Sequence, residues 1–545
     1  MSTYLFRAAV SLATLVGALV VGAAGAAPVA TTTQVDAVKT VASPVPVPVP
    51  VTVPAVASKP ARATVVATPD PAVAPAKVAQ AVAPANNAAK PAAAGNPVLP
   101  ASTVAPVAPA ALTGGEQSPA AADGITAVVT INGVDDAAHR ASVLSGKPVV
   151  NGPKGSLVIV GGALRSDNAA VWERIVRLAG GESARIAVFA SASASPEATA
   201  KFNMDLLNQY GADAFFIPVA VKLAGSDYLA AADDPELAAA VRKAGGAYFA
   251  GGDQSRITRS LRRPDGSNSL VLDALWDMYR KGGVIAGSSA GAAIMSSTMF
   301  DEPRTVLGTL KQGVAEGHEI SDGLGFIGND VFVDQHLLVR GRFARMLPVM
   351  LKKGYKLGLG IDENTAMVIS PNRDVEVIGY KGALLIDLHG ASTEPGAFNL
   401  TNARLSYLDA GDRFNIVSGE FFPAQDKAEG KLDPTKPYYR EPLFAADILG
   451  NTTVVDLMGK LIDSDQPDAI GITLGSPRSV QPDLGFEFRF SRVGDSIGYM
   501  SAASEAYSIY NVRMDIRPIQ IRLPLYQYKN DRPVVTAPQQ ARGSD

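Results

Sequence analysis

Gly283-Val284-Ile285-Ala286-Gly287-Ser288-Ser289-Ala290-Gly291-Ala292 is an apolar strand that runs into the pattern G-x-S-x-G and then into a small-residue helix start, Ala292-Ala293-Ile294-Met295. Glycines on both sides of Ser289 suit a nucleophile on a strand-to-helix elbow, where the backbone is strained and neighbouring chains pass close. Such a turn lifts the Ser289 hydroxyl above a sheet. It also aims the Ala290 amide at a developing oxyanion, with the partial positive charge of a helix N-terminus behind it. The same glycine pattern, taken alone, also serves phosphate loops and tight packing.

Working outward, similar apolar strands recur. They are Ser156-LVIVGGA, Arg185-IAVFASASAS, Ala214-FFIPV and Gly246-AYFAGGDQ. Between them the spacing predicts helices over 171–178, 202–210, 234–244 and 270–281. Strands that are apolar throughout, alternating with helices, imply an α/β fold with a mainly parallel sheet covered on both faces. Glycines and small polar residues gather at the carboxyl ends of the strands, the edge where open α/β sheets bind ligands. Past Asn399 the texture changes to alternating stretches such as Phe486-EFRFSRV and Val512-RMDIRPIQIRL, which predict a β-rich C-terminal extension over 400–545.

The segment before the folded part is a different material. Residues 1–26 read as a secretory signal: Arg7, an apolar run from Ala8 to Val21, and the small-residue cleavage site Ala24-Gly25-Ala26. Residues 27–123 are Ala/Pro/Val/Thr low complexity, including Pro44-Val45-Pro46-Val47-Pro48-Val49-Pro50, and lack the large side chains a core requires. They are read as a disordered, extended tether. A leading hairpin over 124–150 opens the catalytic α/β domain, 124–399. Export to the periplasm or the extracellular space follows, with no stable membrane span once the signal is removed.

Composition excludes several chemistries. With 545 residues, 49 basic and 52 acidic side chains and a net charge of −3, the chain does not bind nucleic acid through bulk positive charge. The absence of cysteine removes disulfides, thiolate metal sites and a thiol nucleophile. Four histidines argue against a multi-His metal cage, and no metal or organic cofactor is expected.

A serine nucleophile needs a base, and histidine is the natural one at neutral pH. His139 lies beside the tether, His318 in a charged loop and His389 in a turn. His336, in Phe332-VDQHLLVRGRFARM, directly follows a short strand and stands beside Asp334 and Gln335. In Gly358-LGIDENTAMVI either Asp362 or Glu363 sits at the bend and can orient the imidazole. The order Ser, His, acid differs from the Ser, acid, His order of α/β-hydrolases. In Ala250-GGDQ the amides of Gly252 and Asp253 complete an oxyanion hole and Gln254 faces the ligand. Arg340, Arg342 and Arg345 suit bidentate recognition of carboxylates.

Together IVGGA, AGGDQ, AGSSAGAAIM, VDQHLLVRGRFARM and GIDENTA resemble cyanophycinase, in the serine peptidase family that also contains peptidase E, the aspartyl dipeptidase; the likeness covers roughly 155–400. The resemblance implies a class I glutamine-amidotransferase-like fold and hydrolysis of multi-L-arginyl-poly-L-aspartate to β-aspartyl-arginine dipeptides. It makes Ser289 the nucleophile, His336 the base and Glu363, rather than Asp362, the orienting acid. It makes Gln254, Asp334, Gln335, Arg340, Arg342 and Arg345 substrate contacts. The expected partners are the cyanophycin polymer or Asp-containing peptides, and a homodimer is compatible with all of this. The alternatives are an aspartyl dipeptidase of the peptidase E type and a non-catalytic binding protein held at the envelope by the Pro-rich arm.

Overall fold

A computed structural model describes residues 152–525, all of them inside the unit Gly115–Asp545. The signal sequence at 1–26, the tether at 27–123, the hairpin at 124–150 and His139 lie outside the described residues.

Five strands form the parallel half of a first sheet: β1 (Ser156–Val160), β2 (Arg185–Phe189), β3 (Asp213–Ile217), β4 (Gly246–Phe249) and β5 (Val284–Ser288). They lie in the order β1-β5-β4-β2-β3, each parallel to its neighbour. Their side chains alternate between two cores. Leu157, Ile159, Phe189 and Ile285 face the helices Pro235–Lys243, Gln254–Leu261 and Leu270–Lys281, whereas Val158, Val160, Ile186 and Val188 face Ala169–Leu178 and Pro196–Gln209. Both faces are covered along β1, β2, β4 and β5, which is why the interiors of those strands are apolar on both sides.

The sheet is mixed rather than mainly parallel. Strand Thr365–Ile369 pairs antiparallel with β1, followed outward by Asp374–Gly379, Arg413–Asn415 and Phe421–Phe422, all antiparallel. Short turns join Thr365–Ile369 to Asp374–Gly379 and Arg413–Asn415 to Phe421–Phe422, and between these pairs the chain passes through two strands of the second sheet, so a sequence search for βαβ units passes over them.

The helices begin where local chemistry dictates. Asp234 accepts from the amides of Glu236 and Leu237, with Pro235 at the first helical position. Ser269 accepts from Leu272, and Gly282, at φ +117°, closes the same helix. The helix expected over 202–210 starts earlier, at Pro196, because proline at the first turn loses no hydrogen bond there. The helix Gln254–Leu261 escaped the sequence reading; its polar face carries Ser255, Arg256, Thr258 and Arg259 and only Ile257, Ser260 and Leu261 are buried.

A second sheet joins the catalytic segment to the C-terminal extension. Strand Val331–Gln335 runs parallel to Leu357–Ile361, which pairs antiparallel with Ala383–Asp387, and that strand pairs with Leu400–Leu408. The long strand Tyr507–Gln520 continues the ladder, followed by Leu484–Ser491 and Asp468–Thr473. Phe332, Phe343, Leu384, Leu405, Met458, Phe488 and Met514 share one core beneath the helices Phe343–Lys353 and Thr453–Ile462. The β-rich extension is therefore sewn into the sheet that carries the segment around His336. Among the described residues no helix is long and apolar enough to cross a membrane.

Candidate active site

Ser289 follows β5 at φ 55° and ψ −107°, and a single helical turn, Ala290–Ala293, follows it. A non-glycine residue held at positive φ costs on the order of 1–3 kcal/mol, and such strain gathers at functional positions. The turn fits because side chains are missing around it: a Cβ on Gly291 would stand 2.3 Å from the Phe249 carbonyl oxygen. The Ser289 amide is anchored to the Val160 carbonyl at 3.0 Å, fixing the elbow to β1.

His336 arrives from the second sheet. It ends the strand Val331–Gln335 at φ 51°, with its own amide donating to the Gly161 carbonyl at 2.9 Å. The ring lies against Gly162, where a Cβ would stand only 2.2 Å from the imidazole Cε1. The glycines of IVGGA are thus the floor on which the imidazole rests. Ser289 Oγ and His336 Nε2 are 2.8 Å apart, and His336 Nδ1 is 2.6 Å from Glu363 Oε1. Both separations are those of hydrogen bonds, and the second is as short as a charge-assisted one.

Glu363 sits where the chain passes from one sheet to the other: Leu357–Ile361 belongs to the second sheet and Thr365–Ile369 to the first. Asp362, its neighbour, points the other way and is fully buried. Its Oδ1 accepts from the amides of Leu338 and Val339 at 3.2 and 3.1 Å, and its Oδ2 is 2.7 Å from Lys381 Nζ. Asp362 therefore shapes the loop after His336, and Glu363 reaches the ring. Asn364, which the sequence reading did not single out, holds the bend: its amide donates to the Gly162 carbonyl, and its Oδ1 accepts from the Arg165 amide and from Asn168 Nδ2. Its place between Glu363 and a strand was the only signal available.

The other expected contacts divide sharply. Asp334 and Arg345 form a two-bonded pair, Arg345 Nε to Oδ2 at 2.7 Å and Nη2 to Oδ1 at 2.8 Å, with the side chains only 2% and 5% exposed. The Arg345 guanidinium also lies over the Phe300 ring at 4.1 Å. Both residues are spent inside the protein, which corrects the expectation that they touch substrate. Gln335 is buried too, and its side-chain and backbone oxygens both accept from Arg342 Nη1 at 2.9 Å. Gln254, partly exposed, donates from Nε2 to the Phe300 carbonyl at 2.7 Å and so braces the strand Thr298–Phe300. The Asp253 amide donates to the Ala192 carbonyl at 3.0 Å and is lost to the oxyanion hole. The amides of Gly252 and Ala290 have no acceptor among the described residues. Of the arginine trio only Arg340 is well exposed, 4.0 Å from Glu363 Oε1.

These charges set the imidazole. Burial lowers the His336 pKa below its ordinary value, and Arg340 and Arg342 lower it further, while the hydrogen bond and charge of Glu363 oppose them. The ring is therefore neutral at neutral pH and can accept a proton from Ser289. Burial and the neighbouring Arg345 push the Arg342 guanidinium down to about 10, which still leaves it charged. His318 is exposed beside Glu319, and His389 is 2.8 Å from Asp387.

Residues 186–377, which hold Ser289, His336 and Glu363, match the family model for peptidase family S51. The chain is 29% identical over 278 residues to the cyanophycinase of Geminocystis herdmanii, covering 48% of this chain and 94% of that one. It is 27% identical over 305 residues to the cyanophycinase of Synechococcus elongatus, covering 51% and 86%. Among solved structures, a peptidase from an acI-B1 actinobacterium aligns at 23% identity with a TM-score of 0.35, over 49% of this chain and 98% of that one. The chain carries a peptidase family S51 domain and is a serine peptidase.

Proposed function

We propose that the protein is an exported cyanophycinase, cleaving multi-L-arginyl-poly-L-aspartate to β-aspartyl-arginine dipeptides on a class I glutamine-amidotransferase-like scaffold. The observation that carries this reading is the continuous hydrogen-bonded series Ser289 Oγ, His336 Nε2, His336 Nδ1, Glu363 Oε1. It joins likeness to two cyanophycinases over nearly their whole length.

Ser289 Oγ attacks the aspartyl carbonyl carbon while its proton passes to His336 Nε2. Glu363 holds Nδ1–H, fixing the tautomer and stabilising the imidazolium that forms. The amides of Ala290 and Gly252 receive the oxyanion of the tetrahedral intermediate. Collapse breaks the C–N bond as Nε2–H protonates the departing amine. Water, deprotonated by the now neutral His336, then attacks the acyl ester and releases Ser289. Arg340, exposed beside Glu363, binds a substrate carboxylate at the mouth.

The exposure of Arg340 also favours the narrower reading, an aspartyl dipeptidase gripping a free carboxylate. Purified protein on insoluble cyanophycin, with identification of the released product, separates the two. β-Aspartyl-arginine release supports the proposal. Cleavage of small Asp-X dipeptides with an untouched polymer replaces it by the dipeptidase. Export is tested by fractionation of the host, and purely cytosolic protein refutes it.

A further inference from the structure

A cleft rich in charged side chains lies outside the Ser289 site. It encloses about 470 Å³ between the helix Gln254–Leu261 and the end of the ribbon formed by Thr298–Phe300 and Ile320–Asp322, with Tyr228 and Leu229 on its apolar side. The segment Gly251–Gln254 leads toward it from beside Ser289. A Cβ on Gly251 would stand 3.2 Å from Ser289 Cβ, Asp253 caps the helix, Gln254 is bonded to Phe300, and Asp301 follows Phe300 into the cleft. Arg259 lies five residues beyond Gln254 in the sequence, roughly 7–8 Å along the helix axis at about 1.5 Å per residue.

The charges that line the cleft fall into two sets. Arg263 is closed by Asp233, Nε to Oδ2 at 2.9 Å and Nη2 to Oδ1 at 2.7 Å, and Arg262 Nη2 donates to the Gly323 carbonyl at 2.9 Å. Arg259, Asp301 and Asp322 are in no ion pair among the described residues. Arg262 Nε is shut off from solvent in the cleft wall with no acceptor. Burial, helped by Asp253 and Glu302, raises the Asp301 carboxyl above the usual range, while Ser321 and Arg259 oppose this. A carboxylate so placed gains by meeting a cation, and an exposed guanidinium nearby gains by meeting an anion.

We propose that this cleft is an accessory subsite that holds a non-scissile unit of an extended chain, its guanidinium on Asp301 and Asp322 and its carboxylate on Arg259. The inference rests on the reading of the substrate as an arginyl-aspartate polymer and adds a second attachment point to it. A long chain held there presents its scissile bond to Ser289 at raised effective concentration, whereas a fragment too short to span both places gains nothing.

The test compares wild type, Arg259→Gln and the double variant Asp301→Asn/Asp322→Asn on cyanophycin and on a soluble two-unit fragment of it. On the polymer kcat/KM should fall about tenfold, mainly through KM, and on the fragment stay within about twofold of wild type. Equal losses on both substrates, or none on the polymer, overturn the subsite while leaving the catalytic reading intact. A wild-type protein that cleaves neither substrate overturns the catalytic reading, and the subsite with it. Sedimentation with polymer granules in a Ser289→Ala background gives a readout without turnover. Several-fold more of the cleft variants should remain in the supernatant, and equal sedimentation refutes the proposal. Thermal melts establish that each variant is folded.

Discussion

The two sheets that meet at Ser289 and His336 are built by different rules. In the first, β1 to β5 alternate with helices, the strand interiors are apolar, and Ser289 is delivered by the ten residues around it. In the second, Val331–Gln335, Leu357–Ile361, Ala383–Asp387 and Leu400–Leu408 follow one another, and the ladder continues only when Tyr507–Gln520, about a hundred residues further on, pairs with Leu400–Leu408. The serine side is local chemistry. The histidine side depends on distant pairing and on buried charge. Damage to the first should abolish turnover in a folded protein, whereas damage to the second should act through position and stability.

Ser289→Ala removes the only atom the local elbow contributes to bond making. Hydrolysis of cyanophycin should fall by on the order of 10⁴-fold or more with the melting temperature unchanged; product release measured by chromatography checks this, and near-wild-type turnover would sink the proposed triad. A serine-directed covalent inhibitor should label Ser289 in the wild type and fail after His336→Ala.

Glu363→Gln tests the crossover between the sheets. An amide keeps the shape but cannot stabilise the imidazolium, so kcat should drop roughly 10³-fold. Asp362→Asn should instead loosen the loop after His336, lowering thermal stability as well as rate, because its carboxylate holds two backbone amides and Lys381. If the two variants exchanged these behaviours, the geometric distinction between the adjacent acids would be wrong.

Within the second sheet, Arg345→Met leaves Asp334 buried without its partner. The loss should be about 3–5 kcal/mol in denaturant unfolding, and Asp334→Leu/Arg345→Met should recover most of it. A specific rise in KM without loss of stability would return both residues to the substrate-contact role expected from sequence.

The smallest effect concerns protons. Because the His336 pKa is lowered, kcat/KM should hold as pH falls and decline only below the ordinary imidazole value of about 6.5. Arg340→Gln removes a cation that disfavours the imidazolium, so the pKa rises and the acid limb moves to higher pH. A shift to lower pH would contradict the assignment of His336 as the base.

The sequence by itself determined the strand-elbow-helix around Ser289, the five parallel strands, the β-rich texture after residue 399 and the two candidate acids at one bend. These features are periodicity and turn chemistry, written in neighbouring residues. Only the tertiary structure decided that Glu363 faces the imidazole while Asp362 is buried behind the loop. Adjacent residues at a bend point apart, and which way each points depends on strands pairing in different sheets. The same holds for the arginines: Arg340, Arg342 and Arg345 look alike as a cluster, yet one is exposed, one is tied to Gln335 and one is spent on Asp334. Charge is a property of the residue, but its availability is set by what the fold packs against it.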